Sequence, residues 1–202
     1  MRQKTLEIQL ERVPAPPNAD PDLEQYRTPP IIAADVLYRA LARGDIRDRT
    51  VIDLGCGTGM FLVGAGLLGA RSLAGIDADA ASLETARAVL AEFDLAAELT
   101  QGDVSRVQGE FDTAVMNPPF GAQHAQRHAD SLFVQHALRV ADVAYSLHLQ
   151  KTEAHLVRLA TSLEADFERL SEYEFPLKAK FDFHTRERMN IEVALYRFQR
   201  RG

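Results

Sequence analysis

Residues 50–59 read Thr-Val-Ile-Asp-Leu-Gly-Cys-Gly-Thr-Gly, a short apolar run closed by glycines at alternate positions. The run Thr50 to Leu54 predicts a strand, and the apolar stretch from Met60 to Leu68 predicts a helix ended by Gly69. Glycines between a strand and a helix permit positive φ and let a ligand approach the backbone closely beside a helix N-terminus. The next strand pattern, Ser72 to Ile76, leads into Asp77, 24 residues after Asp53. In nucleotide-binding doubly wound sheets, an acid about 20 residues beyond the glycine turn accepts hydrogen bonds from ribose hydroxyls.

The rest of the chain continues that alternation. Helical spacing recurs over Ile32 to Leu41, from Asp79 or Ala80 to Leu90, over Ser131 to Arg139 and from Thr152 to Leu163. Strand patterns lie near Ala97 to Thr100, over Phe111 to Met116 and over Val143 to Leu147, and the two last β-patterned pieces, Phe167 to Tyr173 and Ile191 to Phe198, have no helix between them. The prediction is an α/β, Rossmann-like fold: a mainly parallel seven-stranded sheet with helices on both faces and a C-terminal antiparallel hairpin. Leu6 to Arg12 reads as a short helix, and Pro14, Pro16, Pro17 and Pro21 exclude regular structure as far as Asp22. The expected organisation is an N-terminal arm over residues 1–30 and one domain over 31–202.

Composition and charge narrow the setting. A single cysteine in 202 residues makes no internal disulfide and no cysteine-based zinc site. The longest weakly polar run, Met60 to Ala70, falls far short of the roughly 20 residues that cross a bilayer. A cytoplasmic protein is expected. The net charge of −6 hides an asymmetry: the segment from Pro176 to Gly202 has seven basic and three acidic residues, net +4, against −10 for the preceding 175. A polyanion is therefore expected near the C-terminal segment.

The glycine loop is selective. Gly55, Gly57 and Gly59 give GxGxG, neither the GxGxxG of dinucleotide folds nor the GxxxxGK[ST] of a P-loop. Asp53, just before them, would repel a pyrophosphate but suits the cationic amino-acid end of S-adenosylmethionine. Asp103, after the third strand, is placed to accept from the adenine amino group. Asn117-Pro118-Pro119-Phe120 follows the strand ending at Met116. Two prolines remove two N–H donors, so the main-chain carbonyls and the Asn117 side-chain oxygen make an acceptor corner for a planar amine, on whose ring Phe120 can stack. An exocyclic amine is a poor nucleophile because its lone pair is delocalised. Accepting both its hydrogens frees that pair for direct displacement on a methyl group, with positioning and electrostatics carrying the catalysis.

With these motifs in place the chain resembles the class I S-adenosylmethionine-dependent methyltransferases, and within them the eukaryotic and archaeal small-subunit rRNA adenine-N6 methyltransferase family. The likeness rests on Leu23-Glu-Gln-Tyr26 with Thr28, Asp53 to Gly59, Leu67-Leu-Gly-Ala70, Asn117 to Gly121, Tyr145-Ser-Leu-His148, Phe183-His184 and Ile191-Glu-Val193. It implies that Gln25 and Thr28 close over the cofactor, that Gly55, Thr58, Asp77 and Asp103 contact it, and that Asn117 to Phe120 hold adenine. It also implies a small zinc-binding activator protein as partner, paired by strand addition. Position 58 is Cys in the eukaryotic relatives, and a threonine hydroxyl can still hydrogen-bond there.

Lys178, Lys180, His184, Arg186 and Arg188 are the expected phosphate contacts, in a basic loop of about residues 176–190. His124, His128 and His136 have no supporting cysteine and are not read as metal ligands. His148 is read as a structural or substrate-adjacent residue, and Cys56 as a small residue packed in the turn. Two other readings share these motifs: methylation of a protein glutamine amide or DNA adenine, and a cofactor-binding ribosome-assembly factor without turnover.

Overall fold

The computed structural model describes residues 1–17, 27–120, 129–178 and 188–201. Six helices are present: α1 (Gln3–Leu10), α2 (Pro30–Ala42), α3 (Met60–Leu67), α4 (Ala80–Glu92), α5 (Ala129–Val140) and α6 (Glu153–Ser162). Seven strands, β1 (Thr50–Leu54), β2 (Ser72–Asp77), β3 (Glu98–Gln101), β4 (Phe111–Met116), β5 (Ala141–Leu149), β6 (Ala165–Lys178) and β7 (Arg188–Arg200), form one sheet in the order β3-β2-β1-β4-β5-β7-β6. The first five are parallel, and β7 is antiparallel to both of its neighbours.

Each face of the sheet carries its own core. Alternation along β5 sends Tyr145 and Leu147 to the side covered by α1 to α4, where they join Leu6, Leu10, Leu37, Leu62 and Leu195. Ala144 faces the other way, among Met116, Val134, Leu156 and Tyr196 beneath α5 and α6. Helix α3 is buried all round from Met60 to Ala65, which accounts for the weakly polar run in the sequence. It can approach α2 closely because Gly64 has no side chain: a Cβ there would stand 2.2 Å from Leu37 Cδ1. Helix α4 starts where its cap predicts, with the Asp79 carboxylate accepting from the amides of Ala81 and Ser82.

Two features differ from the sequence expectation. Leu6, Leu10 and Val13 are fully buried in the core, so α1 packs with the domain, and among the described residues of the expected arm Pro16, Arg27 and Thr28 line the site. Their i, i+4 spacing supplies one apolar stripe, which packs on α2 and α3. The C-terminal strands are also longer than their apolar patterns, because β6 carries exposed acids between its inward residues. β7 pairs with β5 only as far as Val193 opposite Leu149, whereas its pairing with β6 continues to Arg188 opposite Lys178. The hairpin therefore projects past the sheet by roughly 16 Å at ~3.3 Å per residue. Residues 176–178 and 188–190 of the expected basic loop thus belong to β6 and β7.

Candidate active site

The site lies outside the C-termini of β1 and β4, where the glycine loop meets the Asn-Pro-Pro-Phe turn. Gly55, Gly57 and Gly59 take φ values of +75°, +50° and +88°, a path that side chains strongly disfavour. The amides of Gly55 and Cys56 donate to the Ile76 carbonyl, and Gly57 N donates to Asp77 Oδ2 at 2.7 Å. Asp77 Oδ1 accepts from Asp79 N. The acid at the end of β2 thus fixes the loop while retaining lone pairs for a ligand hydroxyl.

Pro16, Arg27, Thr28, Asp53, Gly55, Cys56, Gly57, Thr58, Met60, Phe61 and Asn117 line a cavity of about 60 Å³. Asp53 is 1% exposed, and its Oδ1 has no hydrogen-bond partner among the described residues. Burial, followed by the negative charge of Asp77, raises its pKa well above the usual carboxylate value. A carboxylate held this way is stabilised by an incoming cation. The Asn117 amide is oriented from across the cavity: Nδ2 donates to Thr28 Oγ1 at 3.1 Å, and Oδ1 is buried with no partner among the described residues. The oxygen is thereby left as the group free to accept.

Other expected site residues have different surroundings. Thr58 lines the cavity, but its hydroxyl donates to the Pro14 carbonyl at 2.7 Å and so pins the segment after α1. Asp77 and Asp103 do not line the cavity; Asp103 accepts from Ser105 N and caps the 3-10 turn Val104–Arg106. Phe120 is 5% exposed and packs edge-to-face on Phe175 of β6, with ring centroids 5.3 Å apart, so the hairpin buttresses the tetrapeptide. Cys56 is buried, and burial with the charges of Asp53 and Asp77 pushes its thiol pKa up, which fits packing and not nucleophilic chemistry.

Gln25, Lys180, His184, Arg186, His124 and His128 lie outside the described residues. The backbones of Lys178 and Arg188 end β6 and β7 as a cross-strand pair. The remaining C-terminal cations serve the fold: Arg197 binds Asp45 and the Tyr145 hydroxyl, Arg200 pairs with Asp142, and Arg201 pairs with Asp166. The Tyr145 to His148 motif is also architectural, since Tyr145 donates to Asp45 Oδ2 and Ser146 Oγ lies 2.6 Å from His148 Nε2, with all four motif side chains fully buried.

Sequence reasoning missed Arg27. Its Nη2 donates to the carbonyls of Leu10 and Glu11 at the end of α1, both at 3.1 Å, and its Nε is buried without a partner among the described residues while the residue lines the cavity. The available signal was its position beside Thr28, in the segment expected to cover the cofactor.

The five parallel strands, the glycine loop locked by Asp77 and the acceptor corner at Asn117 define a class I methyltransferase. Residues 32–157 match the methyltransferase small domain, and the chain belongs to that family. It is 36% identical over 205 residues to the Danio rerio rRNA N(6)-adenosine-methyltransferase METTL5, an alignment covering 98% of this chain and 99% of the zebrafish protein. It is likewise 36% identical over 185 residues to the Drosophila melanogaster rRNA N(6)-adenosine-methyltransferase Mettl5, covering 88% and 86% of the two chains. The crystal structure of PH1948 from Pyrococcus horikoshii superposes with a TM-score of 0.88 at 36% identity, covering 99% of this chain and 98% of that one.

Proposed function

We propose that the protein transfers a methyl group from S-adenosylmethionine to N6 of an adenosine in small-subunit rRNA. The observation that carries this reading is the Asn117 amide: its NH₂ is committed to Thr28, its oxygen is buried and unpartnered among the described residues, and the same cavity holds the glycine loop and Asp53. Those residues fit the cofactor, because Asp53 offers a buried carboxylate to its ammonium group, the loop lets its body approach the backbone, and Asp77 retains lone pairs for ribose hydroxyls. The cofactor supplies an electrophilic methyl group on a sulfonium.

The chain's own groups do the rest. Asn117 Oδ1 would accept one N6 hydrogen and a main-chain carbonyl of the proline-fixed turn the other, freeing the nitrogen lone pair before transfer without a general base; the proton that N6 sheds once methylated passes to solvent. Phe120, held by Phe175, borders that corner and gives the purine an apolar neighbour. The cavity is smaller than nucleoside-binding pockets of several hundred Å³, so the wall formed by Pro16, Arg27 and Thr28 moves outward as ligand enters. The RNA backbone lies along the basic end of the hairpin, at Lys178, Lys180, His184, Arg186 and Arg188. Full-length similarity to two rRNA adenosine methyltransferases supports rRNA as the substrate.

A small zinc-binding activator would add a strand at one sheet edge. The edge strand β6 bears exposed Asp166, Glu168, Glu172 and Glu174, which discourage pairing, so we assign the short β3 edge to that partner. Slower amide exchange over 98–101 when the partner is added supports this assignment, and slowing confined to β6 overturns it.

The test of function is tritium transfer from labelled cofactor to unmodified rRNA, followed by nucleoside mass spectrometry. N6-methyladenosine is expected, and label in protein instead of RNA overturns the reading. Asn117→Ala should keep cofactor affinity within about twofold while transfer falls by a factor on the order of 10² or more, the scale of losing a preorganised polar contact.

A further inference from the structure

We infer that Arg27 is the residue that recognises the carboxylate at the amino-acid end of the cofactor. The inference deepens the proposed function and rests on its cofactor. Arg27 Nη2 is anchored by the Leu10 and Glu11 carbonyls, where a cation complements the C-terminal end of α1. That anchorage leaves Nε, which is buried without a partner among the described residues, and Arg27 is one of the residues that line the cavity. A guanidinium stays charged at every physiological pH and has no acceptor capacity, so the group that completes it is an acceptor, and an anion best of all.

Asp53, which lines the same cavity, does not supply that acceptor: its own Oδ1 is also unpartnered among the described residues. One small cavity is thus lined by a guanidinium and a carboxyl group that leave each other unsatisfied. A zwitterionic α-amino acid satisfies both at once, its ammonium on Asp53 and its carboxylate on Arg27. A nucleotide phosphate would satisfy Arg27 but meet repulsion from Asp53, and a simple cation would do the reverse. Because Arg27 also holds the end of α1, the carboxylate contact fastens the N-terminal segment to the bound ligand.

The test is a binding cycle by calorimetry, with no turnover needed. Wild-type protein and Arg27→Met, which keeps the aliphatic stem, are each titrated with S-adenosylmethionine and with its decarboxylated analogue. The analogue retains the adenosine, sulfonium and ammonium groups and lacks only the carboxylate. Wild type should bind the intact cofactor about 10- to 100-fold more tightly than the analogue, the value of one charge-assisted hydrogen bond. Arg27→Met should discriminate by less than about twofold, and Arg27→Lys should recover part of the difference. A general loosening of the segment weakens both ligands alike and cancels in the ratio. Undiminished discrimination by Arg27→Met overturns the assignment alone. Failure of wild type to bind the intact cofactor overturns the cofactor reading and the assignment with it.

Discussion

Asp53→Asn separates the two consequences of a buried, unpartnered carboxyl group. In the folded chain its pKa is raised well above 3.8, first by burial and then by Asp77. In the unfolded chain the same group titrates at its ordinary value. Between the two values the folded state keeps a proton that the unfolded state has lost, so stability falls as pH rises through that window. Asparagine does not titrate, and its stability curve lacks this decline. A buried polar atom without a partner costs about 1–3 kcal/mol, more when charged. Asparagine leaves an oxygen unsatisfied but removes the charge, so the variant should exceed wild type by about 1 kcal/mol or more at pH 8. In a chain of this length each kcal/mol is worth roughly 2–4 °C in Tm. The two proteins should melt together near pH 4, where wild type holds its proton. Differential scanning calorimetry of ligand-free protein from pH 4 to 8 reads this directly. The same substitution should weaken cofactor binding about 10- to 100-fold, because a neutral amide cannot pair with an ammonium. Parallel Tm curves across that range, or unchanged cofactor affinity, would refute the argument.

Thr28→Val should lower kcat about tenfold with little change in cofactor Kd, because the Asn117 amide loses the acceptor that orients it; Thr28→Ser should restore most of the rate, and a loss confined to cofactor binding would place Thr28 on the cofactor instead. Replacing Lys178, Lys180, Arg186 and Arg188 together with Ala should weaken RNA binding and flatten its salt dependence, by up to roughly 0.7–0.9 per phosphate contact removed. Filter binding across a salt series measures the slope, and equal losses of RNA and cofactor affinity would count against a phosphate role.

The elements that were legible in the sequence are those set by local patterns. β1, the glycine loop and α3 follow from eighteen consecutive residues, Thr50 to Leu67, and Asn117 to Phe120 stands out by the chemistry of two prolines beside an amide. What could not be read depends on contacts between distant segments. Thr28, expected at the cofactor, lines the cavity, and its hydroxyl also accepts from Asn117, 89 residues away. Arg27 is defined by the carbonyls at the end of α1, 16 and 17 residues before it. Helix α1 itself has only eight residues, and nothing in so short a stripe reveals that Leu6 and Leu10 are wholly buried. The motif Tyr145 to His148 carries family resemblance but sits in the cores and polar networks on either face of β5, so its value in recognition comes from architecture.

On the proposed reading, adjacent positions in one short segment meet the two halves of the reaction. Arg27 lines the cavity, and Thr28, the next residue, accepts from the Asn117 amide that would receive the acceptor nitrogen. Pro29 and Pro30 follow at once and start α2, leaving the backbone after Thr28 little freedom. The proposed roles of Arg27 and Asn117 therefore predict coupling: a ligand that seats Arg27 should favour the Asn117 orientation held by Thr28, and by reciprocity an amine bound at Asn117 should raise cofactor affinity, which titration of the cofactor with and without an adenosine acceptor checks.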